Sequence, residues 1–178
     1  DCREVLPSLS GAHAVVTDPP YGIDFAGQPT KWQRRAGQAA EEWDAVPFPK
    51  IDLVLRAAPV ACIWGGNYYA LPPRRGWLCW FKPDAPPSMG SFELAWTNLD
   101  QNTRMISCSI SSANAERLGH PNQKPARVMA WCLGFVSGVI CDPFLGSGTT
   151  LRVAKDAGRT AIGIEREERY CAMAARRM

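Results

Sequence analysis

Positive charge barely exceeds negative in this chain of 178 residues: 20 lysines and arginines stand against 17 aspartates and glutamates, a formal net charge of +3. So small an excess excludes a histone-like or arm-like nucleic-acid binder, whose affinity rests on bulk charge. Histidine is scarce, with only His13 and His120. Neither has an acid or nucleophile beside it in the sequence, so both are expected to be structural. The seven cysteines are odd in number and never closer than nine residues, so neither a disulfide framework nor a zinc site is suggested. No metal is expected, and a reducing, cytoplasmic setting is. Long apolar runs are missing too: the longest, 128–141, has 14 positions broken by Gly134, Ser137 and Gly138, against the roughly 20 that span a bilayer. No secretory leader is visible, and the chain opens on Asp1 rather than Met.

What is present is a globular composition, 46% hydrophobic and 21% charged, in a length that suits one domain over 1–178 rather than two. Periodicity and punctuation predict a short helix at 5–10, a strand at 12–17 stopped by Pro19 and Pro20, and a polar loop over 22–50. A helix at 51–58 and a strand at 60–64 follow, broken at Gly65-Gly66. Three β-like runs at 76–81, 93–97 and 105–110 have no long helix between them, so part of their pairing is expected to be antiparallel. A helix at 125–136, a strand at 139–141, a helix closing at Gly158, a strand at 160–164 and a helix over 166–178 complete the chain. This alternation predicts an α/β domain with a mostly parallel sheet, whose ligands sit at the carboxyl ends of the strands.

Two segments carry chemistry. In Asp142-Pro143-Phe144-Leu145-Gly146-Ser147-Gly148-Thr149-Thr150 the glycines open a helix after a strand, and Glu165 ends the next strand 17 residues beyond Gly148. That layout binds adenosine in doubly wound folds, the glycines admitting the ligand and the carboxylate taking ribose hydroxyls. A tight turn with a surface glutamate is the plainer reading. No lysine follows Gly148, which excludes a P-loop, and Asp142 disfavours a pyrophosphate while suiting a cofactor with an amine and a sulfonium. The second segment is Asp18-Pro19-Pro20-Tyr21. Its prolines remove two N–H donors and leave carbonyls free, so that with the Asp18 carboxylate they form a cup of acceptors. Such a cup suits an exocyclic amine, and Tyr21 offers a face to a planar base. An Asp-Pro turn with a core tyrosine is the alternative.

With both segments in view, the sequence resembles the amino-group DNA methyltransferases, N6-adenine and N4-cytosine, that use S-adenosylmethionine. The resemblance is to the permuted, beta-type class, where the catalytic motif precedes the cofactor motif. It runs through Asp1-Cys2, Asp18 to Tyr21, Trp64-Gly65-Gly66-Asn67-Tyr68, Gly76-Trp77 to Lys82, Glu93-Leu94-Ala95, His120-Pro121-Asn122-Gln123-Lys124-Pro125, Asp142 to Thr150 and Gly163-Ile164-Glu165. It implies a Rossmann-like methyltransferase fold with a catalytic half over about 1–119 and a cofactor half over about 120–178. It implies that Asp18 and Pro19, with Pro20 in the same motif, accept from the target amine while Tyr21 stacks on a flipped base. Asp142, Pro143, Phe144, Gly146, Ser147, Gly148 and Thr149 would line the cofactor, with Glu165 at its ribose, Asp1 and Cys2 at its adenine, and Lys124 near its methionine end. The implied reaction is methyl transfer to adenine N6 in DNA, of the kind found in restriction-modification. N4-cytosine methylation and a module that binds without catalysis are the alternatives; an Asp rather than a Ser at position 18 favours adenine in the family.

Lys31, Arg34 and Arg35 in the polar loop, with Arg74 and Arg75, are the candidate phosphate contacts. In the permuted class one strand lies just before the Asp-Cys pair. The 178 residues are therefore expected to lack one amino-terminal edge strand, to leave 160–164 unpaired along its outer side, and to place Asp1 beside the adenine.

Overall fold

The computed structural model describes residues 1–23, 44–118, 120 and 122–178. Its strands are β1 Ala14–Thr17, β2 Val60–Trp64, β3 Trp77–Phe81, β4 Phe92–Thr97, β5 Arg104–Ser107, β6 Ile140–Asp142 and β7 Ala161–Gly163. They form one sheet in the order β5-β3-β4-β2-β1-β6-β7. β1 lies parallel to β2 and β6, β6 to β7, and β3 to β5, while β4 runs against both of its neighbours, β2 and β3. The sheet is thus mostly parallel with one reversed strand, as the short β-like runs without intervening helices suggest.

The helices are α1 Cys2–Val5, α2 Ile51–Arg56, α3 Ile110–Ala115, α4 Ala126–Leu133, α5 Thr149–Asp156 and α6 Glu168–Ala175, with single 3-10 turns at Leu6–Ser8 and Gly66–Tyr68. Side chains alternate across the central strands, as the period of two requires. Ala14, Val16, Cys62, Trp64, Leu78 and Ile140 face a core shared with Val128 and Met129 of α4 and Val153 of α5. Val15, Ala61, Ile63 and Cys141 face a second core with Leu6, Val54 of α2 and Ile164. Both faces of the sheet are covered, which explains why β1, β2 and β6 read as continuous apolar runs. No helix among the described residues is long and apolar enough to cross a membrane.

Several boundaries differ from the sequence reading: the helices expected over 125–136 and 166–178 are shorter, at Ala126–Leu133 and Glu168–Ala175, and three further differences have a visible cause or consequence. The first helix begins at Cys2, not at 5, because the Asp1 side chain caps it by accepting from the Arg3 amide at 2.9 Å. The strand expected over 105–110 stops at Ser107, and Ile110 opens α3, whose first amides are capped by Asp84 at 2.6 and 2.9 Å. The strand expected over 160–164 shortens to Ala161–Gly163. It closes one edge of the sheet, and among the described residues nothing pairs along its outer side.

Gly148 shows how tightly the turn between β6 and α5 is built. It sits at φ +82 before α5, and a Cβ there would lie 2.7 Å from the Ala174 Cβ of α6. Gly148→Ala combines a left-handed backbone cost with overpacking, about 2 kcal/mol or more in sum. The expected outcome is a fall in Tm of about 4–8 °C; an unchanged melting curve would show that α5 and α6 can part without cost.

Candidate active site

Because β4 alone is reversed, the carboxyl ends of the other strands and the amino end of β4 meet on one rim of the sheet. A cavity of about 600 Å³ opens there, running from Asp1 and Cys2 past Glu165 and Asp142 to Asp18 and Lys124. That volume is in the range of small-molecule and cofactor sites.

One half is built on β6 and β7. Thr17, the last residue of β1, and Thr150, in the first turn of α5, donate to the Asp142 carboxylate at 2.7 and 2.5 Å, and the Phe144 amide donates at 3.1 Å. Asp142 is 3% exposed, and these partners are hydroxyls and an amide, not a cation. Burial therefore pushes its carboxyl up to about 6, with the hydrogen bonds pulling it back and the charge of Asp18 adding to the rise. Glu165, just beyond β7, accepts from the amides of Gly146, Arg166 and Glu167 at 2.7, 2.8 and 2.9 Å. It ties the glycine loop to the end of β7, and a carboxylate with about four acceptor positions keeps capacity for a ligand hydroxyl.

The other half is built on β1. Asp44, 2% exposed, accepts from the amides of Tyr21 and Gly22 at 2.7 and 3.3 Å and so fixes the turn after the two prolines. The Pro20 carbonyl is occupied, accepting from the Phe48 amide at 3.2 Å and from the Tyr69 hydroxyl. The Tyr21 hydroxyl donates to one oxygen of Asp18, and the Lys124 ammonium donates to the other at 2.6 Å. The Tyr21 ring stacks on Tyr68, with centroids 5.2 Å apart and planes at 17°. Gly65 makes this possible: at φ +65 it lies so close that a Cβ would fall 2.0 Å from the Tyr21 ring.

Lys124 also reaches the Tyr21 hydroxyl and Glu93 of β4, both at 3.0 Å, and Glu93 pairs with Lys82 at 2.5 Å. Burial works against the charge on Lys124, but Asp18 and Glu93 outweigh it and hold its pKa above the ordinary lysine value. Burial likewise opposes ionisation of Glu93, and Lys124 and Lys82 together hold its carboxyl below the ordinary value. Asp18 is raised, by burial first, with Lys124 opposing and Glu93 adding.

The structure brings Asp1, Cys2, Asp18, Pro19, Pro20, Tyr21, Lys124, Asp142, Pro143, Phe144, Gly146, Ser147, Thr149 and Glu165 to this cavity. Gly148 is not on its wall; it packs against α6 instead. Lys124, expected at the methionine end, sits directly on Asp18. Arg74 and Arg75 lie away from the rim, Arg75 paired with Asp100 at 2.8 Å and Arg74 over the Trp96 ring at 6.0 Å. Lys31, Arg34 and Arg35 fall outside the described residues. Sequence reasoning assigned no role to Glu93, Lys82, Asp44 or Thr17. Lys82 and Glu93 stand within motifs that carry the resemblance, and Thr17 is the hydroxyl at the strand end just before Asp18.

Residues 59–176 match the family model described as DNA methylase. The type II methyltransferase M.ScaI of Streptomyces caespitosus is 40% identical over 76 residues, which cover 41% of this chain and 25% of that protein. The chain thus spans about a quarter of the length of that curated relative. The crystal structure of the M1.HpyAVI-SAM complex superposes with a TM-score of 0.60 at 22% identity, covering 100% of this chain and 96% of that one. The PvuII DNA methyltransferase, described as cytosine-N4-specific, gives 0.62 at 19% identity, covering 100% and 84%. At these identities the superpositions speak to the fold.

The buried Asp142 carboxylate makes stability depend on pH. Its folded value of about 6 lies above the ordinary 3.8. The native state therefore keeps a proton that the unfolded chain has lost, and this stabilisation is full below about pH 4 and gone once pH has risen through about 6. Asp142→Asn preserves the partners, since an amide can accept from Thr17 and donate to Thr150, and it removes the cost of the charge. Urea unfolding at pH 8 is expected to show the variant more stable than the parent by about 1–3 kcal/mol, with the difference vanishing near pH 4. A constant difference across that range would show that Asp142 does not titrate.

Proposed function

The chain belongs to the DNA methylase family, and from that premise we propose that it transfers a methyl group from S-adenosylmethionine to the exocyclic amine of a base in DNA, adenine N6 before cytosine N4. The observation that carries the reading is the shared cavity: the Asp18–Tyr21 cup and the wall of Asp142 and Glu165 meet there, joined by the hydrogen bond from Thr17 to Asp142. The residues present fit the cofactor. Asp142 and Glu165 suit a cationic group and a diol, the Gly146 backbone lies at the wall between them, and Asp1 stands at the far end. When bound, S-adenosylmethionine supplies a methyl group made electrophilic by its sulfonium.

The chain's own residues address the amine. Its lone pair is delocalised into the base, so it is a poor nucleophile until its hydrogens are engaged. The Asp18 carboxylate and the Pro19 carbonyl accept them, favour a pyramidal nitrogen and stabilise the charge that develops during attack. Tyr21 and Lys124 occupy two acceptor positions of Asp18, and a carboxylate has about four, so the amine joins an ordered carboxylate. Asp18 or water takes the proton after attack, when it has become acidic. For Tyr21 to stack on a base, Tyr68, 48% exposed, must yield its place on the ring. No cysteine follows a proline in this chain, so the Pro-Cys route to cytosine carbon 5 has no nucleophile. The aspartate at position 18 supports adenine, and the intact Asp18–Tyr21 segment supports catalysis over a binding module.

Transfer of labelled methyl to unmethylated DNA, followed by nucleoside analysis, tests the reaction and the base together. Asp18→Ala is expected to abolish transfer while leaving cofactor affinity nearly unchanged; wild-type turnover in that variant would end the acceptor mechanism. Glu165→Ala is expected to weaken S-adenosylhomocysteine binding by about 1.5–3 kcal/mol, read by calorimetry. Undiminished affinity would remove Glu165 from the cofactor site.

A further inference from the structure

Lys82, Glu93, Lys124 and Asp18 come from four separate elements and form one chain of alternating charge. Lys82 follows β3, Glu93 stands at the amino end of β4, Lys124 precedes α4 and Asp18 follows β1, with successive N···O distances of 2.5, 3.0 and 2.6 Å. The reversed β4 is what puts Glu93 on this rim, since its register partner Trp80 lies two residues before Lys82. Both lysine side chains are 8% exposed. The Lys124 segment is itself held in place: the Gln123 side chain donates to the Glu116 carbonyl at 2.8 Å and accepts from the Leu118 amide at 3.1 Å.

Lys124 donates to Asp18 and to the Tyr21 hydroxyl, and its ammonium also lies 3.0 Å from a buried Glu93 oxygen that has no hydrogen-bond donor of its own, a contact of charge rather than a hydrogen bond. A lysine whose whole charge fell on Asp18 would polarise that carboxylate away from any further donor. Glu93 competes for the same ammonium through one oxygen, while Lys82 holds its other oxygen. Resting on the reading of Asp18 as acceptor for the target amine, we infer that Glu93, held by Lys82, is a positioning residue: it shares Lys124 with Asp18 and thereby keeps the Asp18 carboxylate available to the amine. The other titratable groups that act on this cluster are Arg117, which faces Glu93, and Tyr69 and Asp142, which face Asp18; Tyr21 is bonded to it.

The direction of the effect follows. Glu93 raises the Asp18 pKa and Lys124 lowers it, so removing Glu93 lowers it on both counts. Glu93→Gln leaves two buried lysines against one acid and tests folding as much as function. The double variant Lys82→Met/Glu93→Gln removes the outer pair together and leaves Lys124 and Asp18 balanced. Calorimetry with S-adenosylhomocysteine is expected to show unchanged affinity in the double variant. Methyl transfer to unmethylated DNA is expected to fall roughly tenfold or more in kcat with KM for DNA nearly constant, and the acid limb of its pH profile to move to lower pH. Glu93→Asp is expected to fall between the two. Carboxyl NMR of Asp18 reads the same displacement without turnover. A double variant with wild-type kcat and an unmoved Asp18 titration would overturn the role of Glu93. Absence of methyl transfer by the unaltered chain would overturn the proposed reaction, and the Asp18 titration then decides the role of Glu93 by itself.

Discussion

Everything at the site depends on β1 being hydrogen-bonded in parallel to β2 on one side and to β6 on the other. The chain leaves β1 toward β2 and returns much later to β6, so the connections part at the carboxyl end of β1 and leave a crevice there. Thr17 closes the bottom of that crevice by donating across the strand gap to Asp142. A single hydroxyl thus sets the spacing between the turn that carries Asp18 and the loop that carries Gly146. The register Ala14 to Ile140 and Val15 to Cys141 holds it, because slipping one strand by one residue would send Thr17 to the opposite face.

The two carboxylates on either side of this crevice are both raised by burial, but they meet different partners. Asp142 is met by hydroxyls and an amide, so its charge is costly and its pKa rises. Asp18 is met by an ammonium, itself balanced by a second carboxylate and a second ammonium. Different partners around two neighbouring acids let a site give different tasks to the same residue type. The first acid suits a ligand that brings positive charge to it; the second suits a neutral amine that becomes positive only during reaction.

The parts of this arrangement that were legible in the sequence are local ones. Strands β1, β2, β3 and β6 announce themselves as short apolar runs ended by proline, glycine or a charge, and the Asp18–Tyr21 and Asp142–Thr150 segments are contiguous. The sequence reading misses α3 for a local reason as well. Its sequence, ISSANA, has no apolar stripe, and the helix exists because Ser109 and Asp84 cap it. Glu93 and Lys82 were quoted within motifs yet given no role, since their pairing depends on β4 running backwards beside β3. No spacing rule along the chain contains that fact. Gly148 belongs to the pattern too, and its positive φ and its packing against Ala174 give it a part in the turn that the pattern alone does not describe.

A row of four charges with both lysines buried and both acids partly buried is seldom the most stable choice for its volume, because desolvation offsets much of the Coulomb attraction and an apolar replacement is often as good. The same holds for Asp142, whose buried carboxylate carries a cost that a neutral amide would avoid. The folded state must therefore carry both sites on stabilisation made elsewhere, and the two cores on either side of β1, β2 and β6 are where the large apolar side chains are fully enclosed. The helices that cover those cores also carry the site: Lys124 lies just before α4, Thr150 lies in α5, and the cap of α1 is Asp1. Packing and function are in this way the same set of contacts seen from opposite ends of each strand, apolar beneath the sheet and charged at its rim.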